Sequence, residues 1–237
     1  MNSLITGGLV GQLGEIATAV EAVPPRHGRM GSRVTKFASR KNRSIVSCDS
    51  LLEAAFCLEL ERRNDVNHYV SHPYTLKFIG TNYRYTPDFL VCFANGSQLL
   101  VEVKNDRSFE DKTISGRISH YAELLAAQGC MLEYLAASQF YQRIRTANLA
   151  FLYHQSFSSQ GDSTAKLCAL MASRRQPTNI GDLLDLAFQP SNIAYAIFYG
   201  ALEMDLSGVL TCCTRVRINR RPAVQKQNFS NNLTEPN

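Results

Sequence analysis

The sequence predicts an α/β protein, a mixed-sheet domain followed by a small helical, winged-helix-like one, and three observations predict it. Helical and strand-like hydrophobic periods follow one another in the order α-β-β-β-α-β between residues 48 and 136. The run 156–163 (S-F-S-S-Q-G-D-S) has the composition of a linker. After it, three helical stretches and a strand pair crowd into the remaining chain. The expected order is a basic arm (1–34), the mixed-sheet domain (35–155), the linker, and the second domain (164–237) with a frayed polar tail.

Taken in order, the arm lacks sustained periodicity and contains Pro24-Pro25 and several glycines. A helix is expected over 48–63, capped by Ser47 or Asp49, because Leu51, Leu52, Ala55, Phe56 and Leu60 recur at helical spacing. Strands are expected at 69–71, 74–79 and 83–93, with Gly80 supplying a turn. Asn95-Gly96 is the strongest hairpin signal in the chain and leads into an apolar strand at 98–104. A helix at 115–128, a strand at 131–136 and a helix at 139–153 complete the domain. Beyond the linker, helices are expected at 165–173, 180–188 and 192–204, and a strand pair at 209–212 and 215–219.

Composition narrows the function. With 237 residues the chain can bury a core without metal or disulfide staples. A hydrophobic content of 45% and a charged content of 19% exclude disordered and fibrous classes. No apolar run reaches the ~18 residues of a membrane span, and no basic-then-apolar leader opens the chain, so a cytoplasmic protein with no membrane partner is expected. Seven scattered cysteines without a C-x-x-C pair read as reduced thiols, not as a disulfide scaffold or zinc ribbon. Net charge is +5, and its placement says more than its size. Arg26 to Arg43 holds seven basic residues and no acid; Leu206 to Lys226 holds five and no acid; Ser44 to Ala165 carries a balance of −3. Such flanks suit a polyanion partner, with Arg33, Lys36, Arg40, Lys41, Arg43, Arg215, Arg217, Arg220 and Arg221 as the nucleic-acid-binding candidates, although a solvated surface accounts for either run alone.

The chemistry-bearing residues lie in the acidic middle. Glu102-Val103-Lys104 ends an apolar strand, so Glu102 and Lys104 share one face. A second E-x-K, Glu110-Asp111-Lys112, lies in a polar connection with no strand to fix it and is dismissed. Pro87-Asp88 sits on the preceding strand. A hairpin centred on Asn95-Gly96 pairs residues whose numbers sum to about 191, which sets Asp88 opposite Glu102. Unpaired carboxylates facing across a sheet repel, so a cation is called for. Glu53 shares its helix face with Phe56, Cys57 and Leu60 and faces inward, either as a third acid of this group or as the partner of an arginine.

Hard oxygen donors suit Mg²⁺ or Mn²⁺, and a phosphodiester undergoing hydrolysis gains the negative charge such an ion offsets. Asp88, Glu102 and the Val103 carbonyl are the expected metal ligands, Lys104 the group orienting water, and Glu53 the holder of a second ion or its water. The candidate catalytic residues are therefore Glu53, Asp88, Glu102 and Lys104.

The blocks S-R-K-N-R-S, D-S-L-L-E, V-x-x-Y-V-S-H-P-Y-T-L, Y-R-Y-T-P-D-F-L-V and L-L-V-E-V-K, spread over 39–106, resemble the TnsA family, the endonuclease subunit of Tn-seven-type heteromeric transposases. The resemblance implies a restriction-endonuclease-like, PD-(D/E)xK catalytic domain in a bacterial protein. It implies Mg²⁺-dependent cleavage of the non-transferred strand at the 5′ ends of a transposon, and the short length is most like that of members from RNA-guided transposons. It also implies three partners: transposon-end DNA, a DDE transposase subunit (TnsB-type) and an AAA+ regulator (TnsC-type). The family's active-site positions fall on Glu53, Asp88 and Lys104; Glu102 stands where other members carry glutamine. Asp49 and His72 depart from the glutamate and glutamine that many members have there. A stand-alone nuclease of this fold and a non-catalytic adaptor are the competing readings.

Other residues carry less. His68 and His72 are four apart, but Pro73 and the strand context exclude a helical metal pair, and neither is expected to be a ligand. His120 reads as a surface or core-edge residue. The stretch 192–204 is too apolar for a base-reading helix and suits a protein surface better.

Overall fold

The computed structural model describes residues 17–21, 34–174 and 178–219. Arg33, Arg220 and Arg221, most of the expected arm and the polar tail lie outside these residues. The described chain forms a mixed α/β protein that divides into two compact units, one of residues up to 57 and 65–140, the other of 58–64 and 141 onward.

In the first unit, β1 (Ala17–Glu21) lies within the stretch expected as an arm and pairs antiparallel with the strand Tyr74–Phe78. β2 (Thr35–Ser39) and β3 (Ser44–Cys48) form a hairpin whose turn, Arg40 to Arg43, ends on Arg43 in the left-handed region (φ 53°). Helix α1 (Leu51–Arg62) begins three residues later than the earliest expected position, and its last five residues count with the second unit. β4 (Val66–Ser71), β5 (Tyr74–Phe78), β6 (Arg84–Tyr85), β7 (Phe89–Phe93) and β8 (Gln98–Lys104) follow, then α2 (Asp106–Glu110), α3 (Lys112–Ala126) and β9 (Leu132–Ala136). The central sheet runs β4-β7-β8-β9, antiparallel except for the parallel β8–β9 pair, so it is mixed.

The run expected as one strand over 83–93 is two. Arg84–Tyr85 pairs with β5, Phe89–Phe93 with β4 and β8, and Thr86-Pro87-Asp88 crosses between the sheets. Pro87 has no N–H to give a ladder, so pairing stops there and resumes on a different sheet. All five residues of β7 are buried, as both faces of its sheet are covered. On one face Leu90, Cys92 and Leu100 pack with Tyr121 and Leu125 of α3; on the other, Phe89 meets Phe56 of α1 with ring centroids 5.3 Å apart. Full burial of a leucine such as Leu90 or Leu100 contributes about 1.5–3 kcal/mol.

The second unit contains α4 (Arg143–Gln155), α5 (Thr164–Ser173), β10 (Thr178–Asn179), α6 (Ile180–Asp185), α7 (Pro190–Phe198), β11 (Leu202–Glu203) and β12 (Arg215–Ile218). The serine-rich run expected as a linker carries a 3-10 turn and buries Ser156 and Ser159, because Ser156 Oγ donates to the Tyr153 carbonyl and Ser159 Oγ to Asn192 Oδ1. Its short hydroxyl side chains satisfy local polar groups instead of water. The expected pairing of 209–212 with 215–219 is absent: Val209 is exposed, and β12 pairs with β10 and β11. Helix α7 buries Ile193, Ala194, Ala196, Ile197 and Phe198, which therefore offer nothing to a nucleic-acid groove. All seven cysteines are free thiols, and no helix among the described residues is long and apolar enough to cross a membrane.

Candidate active site

The site grows from strand register. Along β7 and β8 the paired residues sum to 190 (Phe89 with Val101, Leu90 with Leu100), so one more step sets Asp88 beside Glu102. Along β4 and β7 they sum to 160 (Ser71 with Phe89), and one more step sets His72 beside Asp88. The His72 N–H donates to the Asp88 carbonyl at 2.8 Å, which extends that ladder. His72, Asp88 and Glu102 thus form a row across three strands.

Asp88 and Glu102 are joined through Lys104. Its Nζ lies 3.3 Å from Asp88 Oδ2 and 2.5 Å from Glu102 Oε1. Asp88 Oδ2 also accepts the Val103 N–H at 2.9 Å, because β7 has ended and leaves that donor without a ladder partner. In a strand the N–H and C=O of one residue point to the same edge, so the Val103 carbonyl borders the same gap. Glu102 Oε2 accepts from the Tyr85 hydroxyl at 3.0 Å. Tyr85, just before the sheet crossing, stacks on Tyr121 with centroids 4.8 Å apart, which fixes its ring.

Glu53 enters from α1 through its helix cap. Ser50 Oγ accepts the Glu53 N–H at 3.1 Å and donates to Glu53 Oε1 at 2.9 Å, while Glu53 Oε2 accepts the Asp49 N–H at 2.9 Å. The sequence is S-x-x-E, as in a capping box, but Glu53 reaches back to the N–H of Asp49, one residue before the cap; Ser50 is the cap where Ser47 or Asp49 was expected. Among the described residues Glu53 has no arginine partner; its Oε2 lies 3.6 Å from His72 Nε2. Ligand-capable atoms of Glu53, His72 and Asp88 all lie within 4.8 Å of one another.

Three buried carboxylates therefore gather here: Asp88 and Glu102 share the Lys104 ammonium, and Glu53 lies beside Asp88 and His72. Burial pushes the Asp88 carboxyl up; Lys104 and the Val103 N–H oppose the rise, and Glu53 adds to it. Burial also raises Glu102, reinforced by Asp88 and opposed by Lys104. For Lys104, burial favours the neutral amine, but the two carboxylates outweigh it and the net shift is upward. Burial, then the neighbouring Glu102, drives the Tyr85 hydroxyl far up, so it stays a donor. The pocket is short of positive charge, and its donors are hard oxygens plus one imidazole. That donor set fits a divalent cation, with Glu53, Asp88 and His72 grouped to hold it and Glu102 turned to Lys104 and Tyr85.

The sequence reading brings Glu53, Asp88, Glu102, Val103 and Lys104 to one place, and the structure has them there. It weighed His72 and did not expect it to be a ligand. His68 is indeed no partner of His72, but the imidazole meets residues far away in sequence, through a β4–β7 register that no short hairpin announces. The usable signal was the histidine closing a strand just before a proline.

Of the basic candidates, Arg43 and Lys36 are exposed on the β2–β3 hairpin, Lys36 donating to Ser47 Oγ. Lys41 Nζ donates to the Val66 carbonyl at 2.6 Å, so its head is used within the fold. Arg40 is half-buried, Arg215 is exposed, and Arg217 pairs with Glu203 at 2.7 Å. The chain matches no model of a known protein family and no curated protein sequence.

Proposed function

We propose that the chain is a metal-dependent DNA endonuclease with a restriction-endonuclease-like catalytic domain, acting as the TnsA-type subunit of a heteromeric transposase. In this reading it cuts the non-transferred strand at the 5′ ends of a transposon, beside a DDE transposase and an AAA+ regulator. The observation that carries it is the Asp88–Lys104–Glu102 bridge at the mouths of β7 and β8, with Glu53 facing Asp88 from α1. A lone structural ion pair needs one carboxylate; this pocket buries three. The motif blocks over 39–106 supply the substrate class and the partners.

A divalent cation, Mg²⁺ or Mn²⁺, supplies Lewis-acid stabilisation of the phosphorus oxygens when bound. Asp88 and Glu53 would hold it, with the Val103 carbonyl on the same edge. Lys104 carries the one ammonium among the described residues within reach of Asp88 and Glu102 and would donate to the attacking water or a non-bridging phosphate oxygen. Tyr85 fixes Glu102, and Glu102 in turn fixes Lys104. Arg43, Lys36 and Arg215 are exposed cations suited to backbone phosphates.

The test is strand-specific end cleavage with the partner subunits present. Asp88→Ala and Lys104→Ala are expected to abolish 5′-end cuts while 3′-end cuts by the transposase continue. Undiminished 5′-end cutting by Asp88→Ala sinks the assignment.

A further inference from the structure

We propose that His72 is a direct nitrogen ligand in this centre, completing a Glu53–His72–Asp88 site that takes a first-row transition-metal dication such as Mn²⁺ in preference to Mg²⁺. The proposal rests on the preceding reading for the presence of a metal centre and adds the identity of the third ligand and the class of ion.

The imidazole is held but not used. Its backbone N–H is bonded to Asp88, yet among the described residues its ring makes no hydrogen bond: Nδ1 is buried without a partner there, and Nε2 stands 3.6 Å from Glu53 Oε2 and 3.7 Å from Asp49 Oδ2. Those separations are too long for hydrogen bonds. The 3.6 Å to Glu53 is at the upper end of the spacing of neighbouring ligands around one ion, about 3.0–3.6 Å for bond lengths near 2.1–2.2 Å, and ligand atoms of Glu53, His72 and Asp88 lie within 4.8 Å of one another, close enough for an ion to draw them together. A largely buried imidazole with both nitrogens unspent is uncommon, since such rings normally satisfy at least one. The backbone is also forced: His72 has φ 45°, a region that a side-chain-bearing residue before proline ordinarily avoids. That turn brings the ring over Glu53.

The chemistry sets the ion class. Two carboxylates alone suit Mg²⁺, Ca²⁺ and Mn²⁺ alike; an imidazole nitrogen shifts preference toward transition metals and away from Mg²⁺, which favours oxygen and keeps its water. The competing role for the ring is an imidazolium that pairs with Asp49 and Glu53 and touches no ion.

The experiment is electron spin-echo spectroscopy of Mn²⁺ added to the full chain, alongside competition of Mn²⁺ by Mg²⁺. Wild type is expected to show the modulation of a directly bound imidazole nitrogen, altered by ¹⁵N-histidine labelling. His72→Gln is expected to lose it and to weaken Mn²⁺ binding about tenfold, the equivalent of about 1.4 kcal/mol, with a smaller effect on Mg²⁺. His72→Gly suits the positive φ and guards against misfolding; added free imidazole is expected to restore the modulation there. Bound Mn²⁺ without nitrogen modulation, lost on Asp88→Asn, overturns the role of His72 and leaves the metal-dependent reading standing. No bound Mn²⁺ at all overturns both.

Discussion

Replacing Asp88 by asparagine separates a metal-binding acid from a structural ion pair. Asp88 Oδ2 lies 3.3 Å from Lys104 Nζ, an attraction of about 5 kcal/mol at an effective dielectric of about 20. Against that, Glu53 stands within 4.8 Å, a repulsion of at least about 3.5 kcal/mol on the same footing. Asp88 and Glu102 repel each other, and burial of the charge adds a desolvation penalty. The attraction is thus offset almost completely. Asp88→Asn is expected to leave metal-free stability within about 1 kcal/mol of wild type, or to raise it, where breaking a well-compensated buried pair costs about 3–5 kcal/mol. With a divalent cation at one hundred times its dissociation constant, wild type gains about 2.7 kcal/mol. For a chain of this size that is a rise in Tm of about 5–11 °C, and the variant is expected to lose nearly all of it. Differential scanning calorimetry in chelator and in Mn²⁺ reads both arms. A chelated variant destabilised by several kcal/mol, with its Mn²⁺-dependent rise intact, refutes the reasoning and makes Asp88 a structural partner of Lys104.

Two further outcomes are expected. Asp88 and Glu102 have raised carboxyl pKa values in the fold, so the native chain holds more protons than the unfolded one above the ordinary carboxylate range. Their contribution is present below about pH 4 and is lost as pH rises through the folded values; an Asp88→Asn, Glu102→Gln double variant in chelator is therefore expected to lose less stability than wild type on raising pH from 5 to 7 in urea titrations, and identical profiles reject this. Tyr85→Phe removes the donor to buried Glu102 and is expected to cost about 1–3 kcal/mol in the same titrations; a loss below a few tenths means the hydroxyl does not hold Glu102.

The parts of the site that local chemistry governs were legible in the sequence. Asn95-Gly96 announces its own turn, and the turn fixes the β7–β8 register, so Asp88 opposite Glu102 followed from counting. The helix of Glu53 was legible from its apolar spacing, but not its cap, since Ser47, Asp49 and Ser50 all suit that position and only geometry selects Ser50. What local chemistry does not govern stayed hidden. The β4–β7 pairing closes over a long excursion through β5 and β6, so nothing near His72 revealed its neighbour. The split at Pro87 required knowing that two sheets compete for one run of apolar residues. Strands as short as Thr178–Asn179 and Leu202–Glu203 have too few residues for periodicity to register, which is why Val209 to Cys212 looked the better partner for β12.

The sheet crossing at Thr86-Pro87-Asp88 unites these observations. Tyr85 on one side of Pro87 donates to Glu102; Asp88 on the other accepts from Val103 and Lys104. A single strand running straight through would alternate its side chains by face and send residues 85 and 88 to opposite sides. The break lets both reach the E-x-K strand, so the proline costs a ladder hydrogen bond and delivers two polar groups to one place. The same accounting applies to His72, whose forced backbone is offset only if its ring does something in the pocket. Strain, repulsion and a missing ladder bond all converge on one end of β7, which is where a fold optimised for stability alone would have put apolar side chains.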